Sequence, residues 1–268
     1  RAIRRENLAA LKQFLDDGLD VETRGGRFHG TLLLEACRYH TVKAADLLLE
    51  RGAAAAVSGG GFWTPLHYAC DGEEAAGLAI KLIRRGADVD AADFSGRTPL
   101  HIASKQGSSD AALALLEAGA EPNTRDDGGR TPMHYAASFG RREAIAVLLG
   151  FGADVSSLDR ELDSPLHVAA RERQSLAMSL LERTGADPEA ENCWGELAGT
   201  LAPSYKMNPA ALVDGADGGN THQQSEPCVA CSAKKGRHYY FCKSEILQEV
   251  PDDLILGPDG LPISSRED

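Results

Sequence analysis

Long apolar runs are missing from this chain. No stretch approaches the roughly 20 residues needed to cross a bilayer as a helix, so membrane insertion is not expected. Positive charge is also short. Lys and Arg number 28 against 40 Asp and Glu, a formal net charge of −12. That balance argues against general binding to nucleic acid or to anionic membranes. Cysteine is sparse, with six in 268 residues and two of them in one Cys-x-x-Cys pair, and there is no Asn-x-Ser/Thr acceptor. Such usage is too thin for a disulfide scaffold and points to a reducing compartment, cytoplasmic or nuclear. No GxxxxGK[ST] phosphate loop occurs, and no Ser-His-Asp or Cys-His set can be assembled from residues that lack another explanation, so an enzyme is not expected. The chain opens RAIRREN, without an initiator Met or an apolar signal core, so its natural N-terminus is expected to lie upstream.

What the chain does have is self-similarity. TPLHYAC from Thr64 returns as TPLHIAS from Thr98, TPMHYAA from Thr131 and SPLHVAA from Ser164, with TLLLEAC from Thr31 as a divergent copy. The five hydroxyl residues are 33, 34, 33 and 33 positions apart. A glycine follows each after 21 or 22 residues (Gly52, Gly86, Gly119, Gly152, Gly185), preceded by an aliphatic pair such as Leu115-Leu116 and followed by GADV-type sequence. The hydroxyl reads as a helix N-cap, and the Pro that follows it in four of the five copies sits at the first helical position, where its missing N–H costs nothing. Leu66, Leu100, Met133 and Leu166 then face inward. A second helix carries the aliphatic pair and ends at the glycine, which can take the left-handed conformation past a helix end. The roughly ten Asp- and Gly-rich residues between units suit a hairpin turn.

Motif, period and helix exit together resemble the ankyrin repeat, over about residues 1–202. The resemblance implies an all-α solenoid of stacked helix pairs joined by hairpin turns, followed by a linker and a small Cys/His-containing tail. The repeat domain is assigned to 1–204, with a partial N-terminal repeat, five repeats starting near 26, 59, 93, 126 and 159, and a degenerate C-terminal cap. In that cap Leu197 and Ala198 replace Thr and Pro. A flexible linker is assigned to 205–227 and a small segment to 228–268. Side chains one repeat apart are about 10 Å apart, too far to share a metal. His67, His101, His134 and His167 are therefore architectural, and the resemblance implies that they bond backbone groups and tie neighbouring hairpins. Cys37 and Cys70 share a column with Ser104, Ala137 and Ala170, where close helix packing leaves room only for a small side chain.

The resemblance further implies a scaffold or adaptor, with no chemistry of its own, that binds a protein partner through a concave face. That face is made by the hairpins and the ends of the first helices. Carried over position by position, the hairpin set is Phe28, His29, Trp63, Phe94, Arg97, Asp127, Arg130, Arg160, Glu161 and Asp163. The helix set is Arg38, Tyr39, Lys105, Gln106, Ser138, Phe139, Arg171 and Glu172. Aromatics and Arg are the residue types enriched at binding hot spots, which singles out Phe28, Tyr39, Trp63, Phe94, Arg97, Arg130, Phe139, Arg160 and Arg171, with Lys105 beside them. The competing reading is that some of these rings fold back to shield the core. Asn123 occupies the position that asparaginyl hydroxylases modify in some members of the family. A plain turn asparagine is the simpler reading, and Pro122 in place of the usual Val favours it. A monomer is expected.

In the tail, Cys228, Cys231, His238 and Cys242 give C-x2-C-x6-H-x3-C, four soft ligands of the number and type that close a tetrahedral zinc site. The pattern distantly resembles a zinc knuckle, although both later spacings differ. Reduced thiols without metal are the alternative. Lys234, Lys235, Arg237 and Lys243 beside Tyr239, Tyr240 and Phe241 could stack on single-stranded nucleic acid, or HYYFC could form a short strand. A second functional reading follows: an adaptor whose C-terminal zinc module acts in nucleic-acid or ubiquitin-related recruitment. Two turn signals flank LIL in PDDLILGPDGLPISSRED and suit a hairpin.

Overall fold

The computed structural model describes residues 2–25, 30–56, 63–72 and 76–201, together with two short strands near the C-terminus. A 3-10 turn, Ile3–Arg5, precedes α1 (Leu8–Asp16). The two-residue strands β1 (Arg24–Gly25) and β2 (Gly30–Thr31) pair antiparallel, Arg24 opposite Thr31. Five helix pairs follow: α2 (Leu32–Arg38) with α3 (Val42–Glu50), α4 (Pro65–Cys70) with α5 (Ala76–Arg84), and α6 (Pro99–Gln106) with α7 (Ser109–Glu117). The last two are α8 (Pro132–Ser138) with α9 (Arg142–Gly150) and α10 (Pro165–Arg171) with α11 (Ser175–Arg183). Pairing of β3 (Ile255–Leu256) with β4 (Pro262–Ile263), Ile255 opposite Ile263, places a hairpin where the tail's turn signals predict one. The assigned linker and the zinc quartet lie outside the described residues.

The core is a set of columns with the period of the sequence. Leu33, Leu66, Leu100, Met133 and Leu166 form one on the first helices; Leu48, Leu82, Leu115, Leu148 and Leu181 form another on the second helices. All ten are fully buried. Burying such a side chain contributes about 1.5–3 kcal/mol, so each repeat supplies two anchors to an interface that its neighbour completes. Cys37, Cys70, Ser104, Ala137 and Ala170 are buried in the close-packed column the alignment assigns to them. Burial pushes the Cys37 thiol up to about 12 and raises that of Cys70 as well, which leaves both protonated and unreactive at neutral pH.

The hairpins between repeats are built around an acid column that period counting alone could have found. Asp93 Oδ1 accepts from the N–H groups of Ser95 and Arg97, Asp126 from Gly128 and Arg130, and Asp159 from Glu161 and Asp163. Asn192 does the same for Trp194 and Glu196. Each hairpin also bonds the next: Asp127 N–H to Ser95 O at 2.9 Å, Arg160 to Gly128 and Cys193 to Glu161 at 3.0 Å. The fourth hairpin residue needs positive φ and is glycine at Gly96, Gly129 and Gly195, but Leu162 at φ 58°. A left-handed Leu costs about 1–2 kcal/mol. Glycine's looser unfolded chain returns part of that. Leu162→Gly is therefore expected to stabilise the protein by about 0.5–1 kcal/mol in chemical denaturation. A loss of stability would show that the exposed Leu162 side chain is held by packing instead.

Beyond the fifth pair, the sixth unit keeps its hairpin but not its first helix among the described residues. Leu197 to Leu201 form a turn closed by Thr200 N–H to Leu197 O at 3.0 Å. Without Thr-Pro the chain lacks both the cap and the preset helical φ.

Candidate functional site

Every TPLH-type histidine bridges two repeats. The ring Nδ1 accepts from the N–H of its own N-cap residue: His67 from Thr64 (3.2 Å), His101 from Thr98 (3.0 Å), His134 from Thr131 (3.1 Å) and His167 from Ser164 (3.1 Å). Nε2 faces the carbonyl that ends the next hairpin: Arg97, Arg130 and Asp163 at 3.0 Å and Glu196 at 3.2 Å. A carbonyl can only accept, so Nε2 carries the hydrogen and Nδ1 keeps its lone pair. One neutral tautomer fits both ends. Burial lowers the pKa of His67, His101 and His134, in His101 to about 4, against the opposing pull of the carbonyl bond. These rings are structural rivets and are not available as bases or metal ligands.

With the frame fixed in this way, the face beside it can be read residue by residue. Exposed rings stand at Phe94 (65%), Phe139 (44%) and Tyr39 (38%). Lys105 Nζ lies 5.5 Å from the centre of the Phe139 ring, and Arg38 lies 5.8 Å from that of Tyr39. Arg160 is exposed at its hairpin tip. Phe28 and His29 lie outside the described residues. Several predicted contact residues are spent on architecture. Arg97 holds Asp93 through Nε (2.9 Å) and a terminal nitrogen (2.7 Å); Arg171 grips Asp163 at 2.6 and 3.2 Å, and Asn192 donates to the same carboxylate at 3.0 Å. Arg130 reaches Asp159 at 3.4 Å. Asp93 is held below the usual carboxylate range, since the bonds from Arg97, Ser95 and Trp63 outweigh the upward push of burial.

Trp63 corrects the sequence reading of an exposed anchor. Its indole N–H donates to Asp93 at 2.9 Å, its ring meets Tyr68 edge-on at 4.8 Å and stacks on His67 at 5.9 Å, and it is half-buried. An indole needs a partner for its N–H, and the hairpin acid of the next repeat supplies one. Trp194 is the converse: not singled out in the sequence, it is 58% exposed at the last hairpin with Arg171 5.5 Å from its ring centre. Its place two residues after Asn192, in register with Glu161, was the available signal. Asn123 ties one helix exit to the next, donating to Gly152 O at 3.2 Å and accepting from Asp154 N–H at 2.8 Å. The carboxylates of Asp159, Glu161 and Asp163 cluster within 4.8 Å, but Asp159 and Asp163 are occupied by the bonds given above.

Stacked helix pairs and riveted hairpins define the class as a repeat solenoid. The comparisons make the family specific. A many-copy ankyrin-repeat model matches residues 48–103 and 82–136, and a three-copy ankyrin-repeat model matches 118–192. The chain belongs to the ankyrin-repeat family. It is 39% identical over 84 residues to NF-kappa-B inhibitor alpha of Gallus gallus, covering 30% of this chain and 26% of that one. Protein glp-1 of Caenorhabditis elegans is 32% identical over 121 residues, 40% of this chain and 9% of its own length. Neurogenic locus notch homolog protein 1 of Xenopus laevis is 34% identical over 95 residues, 35% and 4% of the two chains. The chain thus spans about a quarter or less of these relatives' lengths. Repeats of this family form protein-interaction modules and are typically non-enzymatic. No helix among the described residues is long and apolar enough to cross a membrane.

Proposed function

We propose that this protein is a scaffold or adaptor that holds a segment of another protein along its concave face. The observation that carries this reading is the exposure of Tyr39, Phe94 and Phe139, with a cation against the rings of Tyr39 and Phe139 and with the Phe94 hairpin and the Phe139 helix tied to the frame by the His67 and His134 bridges. A rigid frame lowers the ordering cost of association, so a few anchors can supply most of the affinity. Similarity to a protein named for inhibiting NF-kappa-B supports a protein-binding role. The expected working form is a monomer in cytoplasm or nucleus. A photo-crosslinking amino acid placed at Phe139 should capture the partner, while the same group at Asp110 on the outer helix α7 should not. Equal capture at both positions would remove the reading.

We propose further that Cys228, Cys231, His238 and Cys242 hold one zinc; this donor set supports the second reading, a tail module for nucleic-acid or ubiquitin-related recruitment. Purified full chain should carry about one zinc per molecule, lost on Cys231→Ser without change in the helical signal. Elemental analysis without zinc, on protein prepared free of chelator, would reject it.

A further inference from the structure

We infer that the tail hairpin, β3 with β4, docks on Leu162 and Trp194 at the C-terminal end of the hairpin row, within one and the same chain. This contact does not depend on a partner binding the concave face. Leu162 and Trp194 are two large apolar side chains exposed on adjacent hairpins. Cys193 N–H donates to Glu161 O at 3.0 Å, and each of the two lies one residue beyond that bond. Arg171 lies against the indole, which is still 58% exposed. Neither side chain suits its column. Position for position, Trp194 replaces Ser95, Gly128 and Glu161, and Leu162 replaces Gly96, Gly129 and Gly195. Leu162 does so at φ 58°, where a side chain is strained. A strained apolar side chain left in water is unfavourable twice over, and a cover that buries it removes the second cost.

The occupant follows from area and from what the chain itself has to bury. Trp194 and Leu162 together offer on the order of 200–300 Å², well short of the roughly 800 Å² each partner buries in a stable dimer. A contact that small holds only when its two halves are tethered, since association then costs little translational freedom. The chain supplies such a half. β3 and β4 are two residues each, Ile255-Leu256 paired with Pro262-Ile263. An isolated two-stranded hairpin is marginal in water and needs an apolar surface to pack against. Its chain leaves the array at Leu201, just after the hairpin that carries Trp194. The roughly 50 residues between Leu201 and β3 could span about 160 Å if extended, so a return to Trp194 uses a small part of that reach. Charge takes no part in selecting the hairpin. Acids stand on both sides, Glu161 and Glu196 beside Trp194, and Asp252, Asp253 and Asp259 around β3 and β4 in the sequence. Exposed charges are screened and weak beside burial of an indole and a leucine, so added salt should strengthen the contact slightly.

The full chain labelled with 5-fluorotryptophan tests this, because it holds two tryptophans and Trp194→Phe identifies one of the two fluorine signals. A soluble gadolinium chelate broadens the signal of any ring it can reach. Ile255→Ser with Ile263→Ser should raise the broadening of the Trp194 signal about threefold or more and leave the Trp63 signal unchanged. Leu162→Gly should do the same. Relief of backbone strain keeps the array folded in that variant, so the change reports the contact and not unfolding. Shielding in the unsubstituted chain should be independent of protein concentration over about a thirtyfold range, as an intramolecular contact requires. Equal broadening in the unsubstituted chain and in the doubly substituted tail variant overturns the inference. Shielding that grows with concentration overturns it too, and makes a second copy the occupant. Capture of a partner at Phe139 is read separately, so failure here leaves the concave-face reading untouched.

Discussion

Acidification from pH 7 to pH 4 should cost the repeat array on the order of 3 kcal/mol through His101 alone, with further loss through His67 and His134. In the unfolded chain an imidazole takes up its proton near 6.5; in the folded one burial lowers that value, to about 4 at His101. The unfolded state therefore binds more protons throughout that window. Stability contributed by the neutral ring is complete above pH 6.5, is lost as pH falls toward 4, and changes no further through this group once both states are charged. Geometry gives the same sign, because a proton on Nδ1 would face the Thr98 N–H that the lone pair now accepts. Urea midpoints measured across pH 7.5 to 4 should fall steadily, with the steepest decline below 6.5. A flat profile would mean that the imidazoles are already charged, or already wet, in the folded protein.

His101→Ala should lower stability by about 3–5 kcal/mol at pH 7.5, the range for breaking a buried, fully bonded polar group and leaving a cavity. The change strands the Arg130 carbonyl and the Thr98 N–H, and it removes the ring that Tyr135 meets edge-on at 5.5 Å. His101 lies at the middle of the array, so its loss weakens the link between halves that each depend on the shared interface. The variant should also flatten the acid profile, because the group responsible for much of it is gone. Guanidinium denaturation of both proteins at pH 7.5 and pH 5 checks this. A loss below about 1 kcal/mol would show that water replaces the ring at little cost.

The repeat frame was legible because it is written as columns. Thr-Pro-Leu-His, the aliphatic pair and the exit glycine recur at fixed spacing, and each has one local job that does not depend on distant chain. Exposure on the concave face depends on distant chain, and there the sequence reading matches Phe94, Phe139 and Tyr39 but not Trp63. Trp63 shares an alignment slot with surface positions, but its indole N–H is drawn to Asp93, 30 residues on, a pairing no local pattern encodes. Trp194 is exposed because Leu197 to Leu201 form a turn, so no further first helix follows it among the described residues, and only the worn motif hinted at this. The hairpin acids Asp93, Asp126 and Asp159 had the full period and could have been found by extending the column count. Leu162, alone in its column with a side chain at positive φ, is a local conflict that the surrounding hairpin bonds sustain.

Stability and recognition are assigned to different columns of the same repeats, and one paired measurement tests that division most directly. Partner affinity and melting temperature are determined for Phe139→Ala and for His101→Ala. Phe139→Ala should weaken binding by about 2 kcal/mol or more, roughly thirtyfold, and leave the melting temperature within about a degree. His101→Ala should lower the melting temperature by several degrees and leave affinity per folded molecule unchanged. If Phe139→Ala instead unfolds the protein, or leaves affinity intact, the exposed rings belong to the core or to nothing, and the concave face is not where this protein meets its partner.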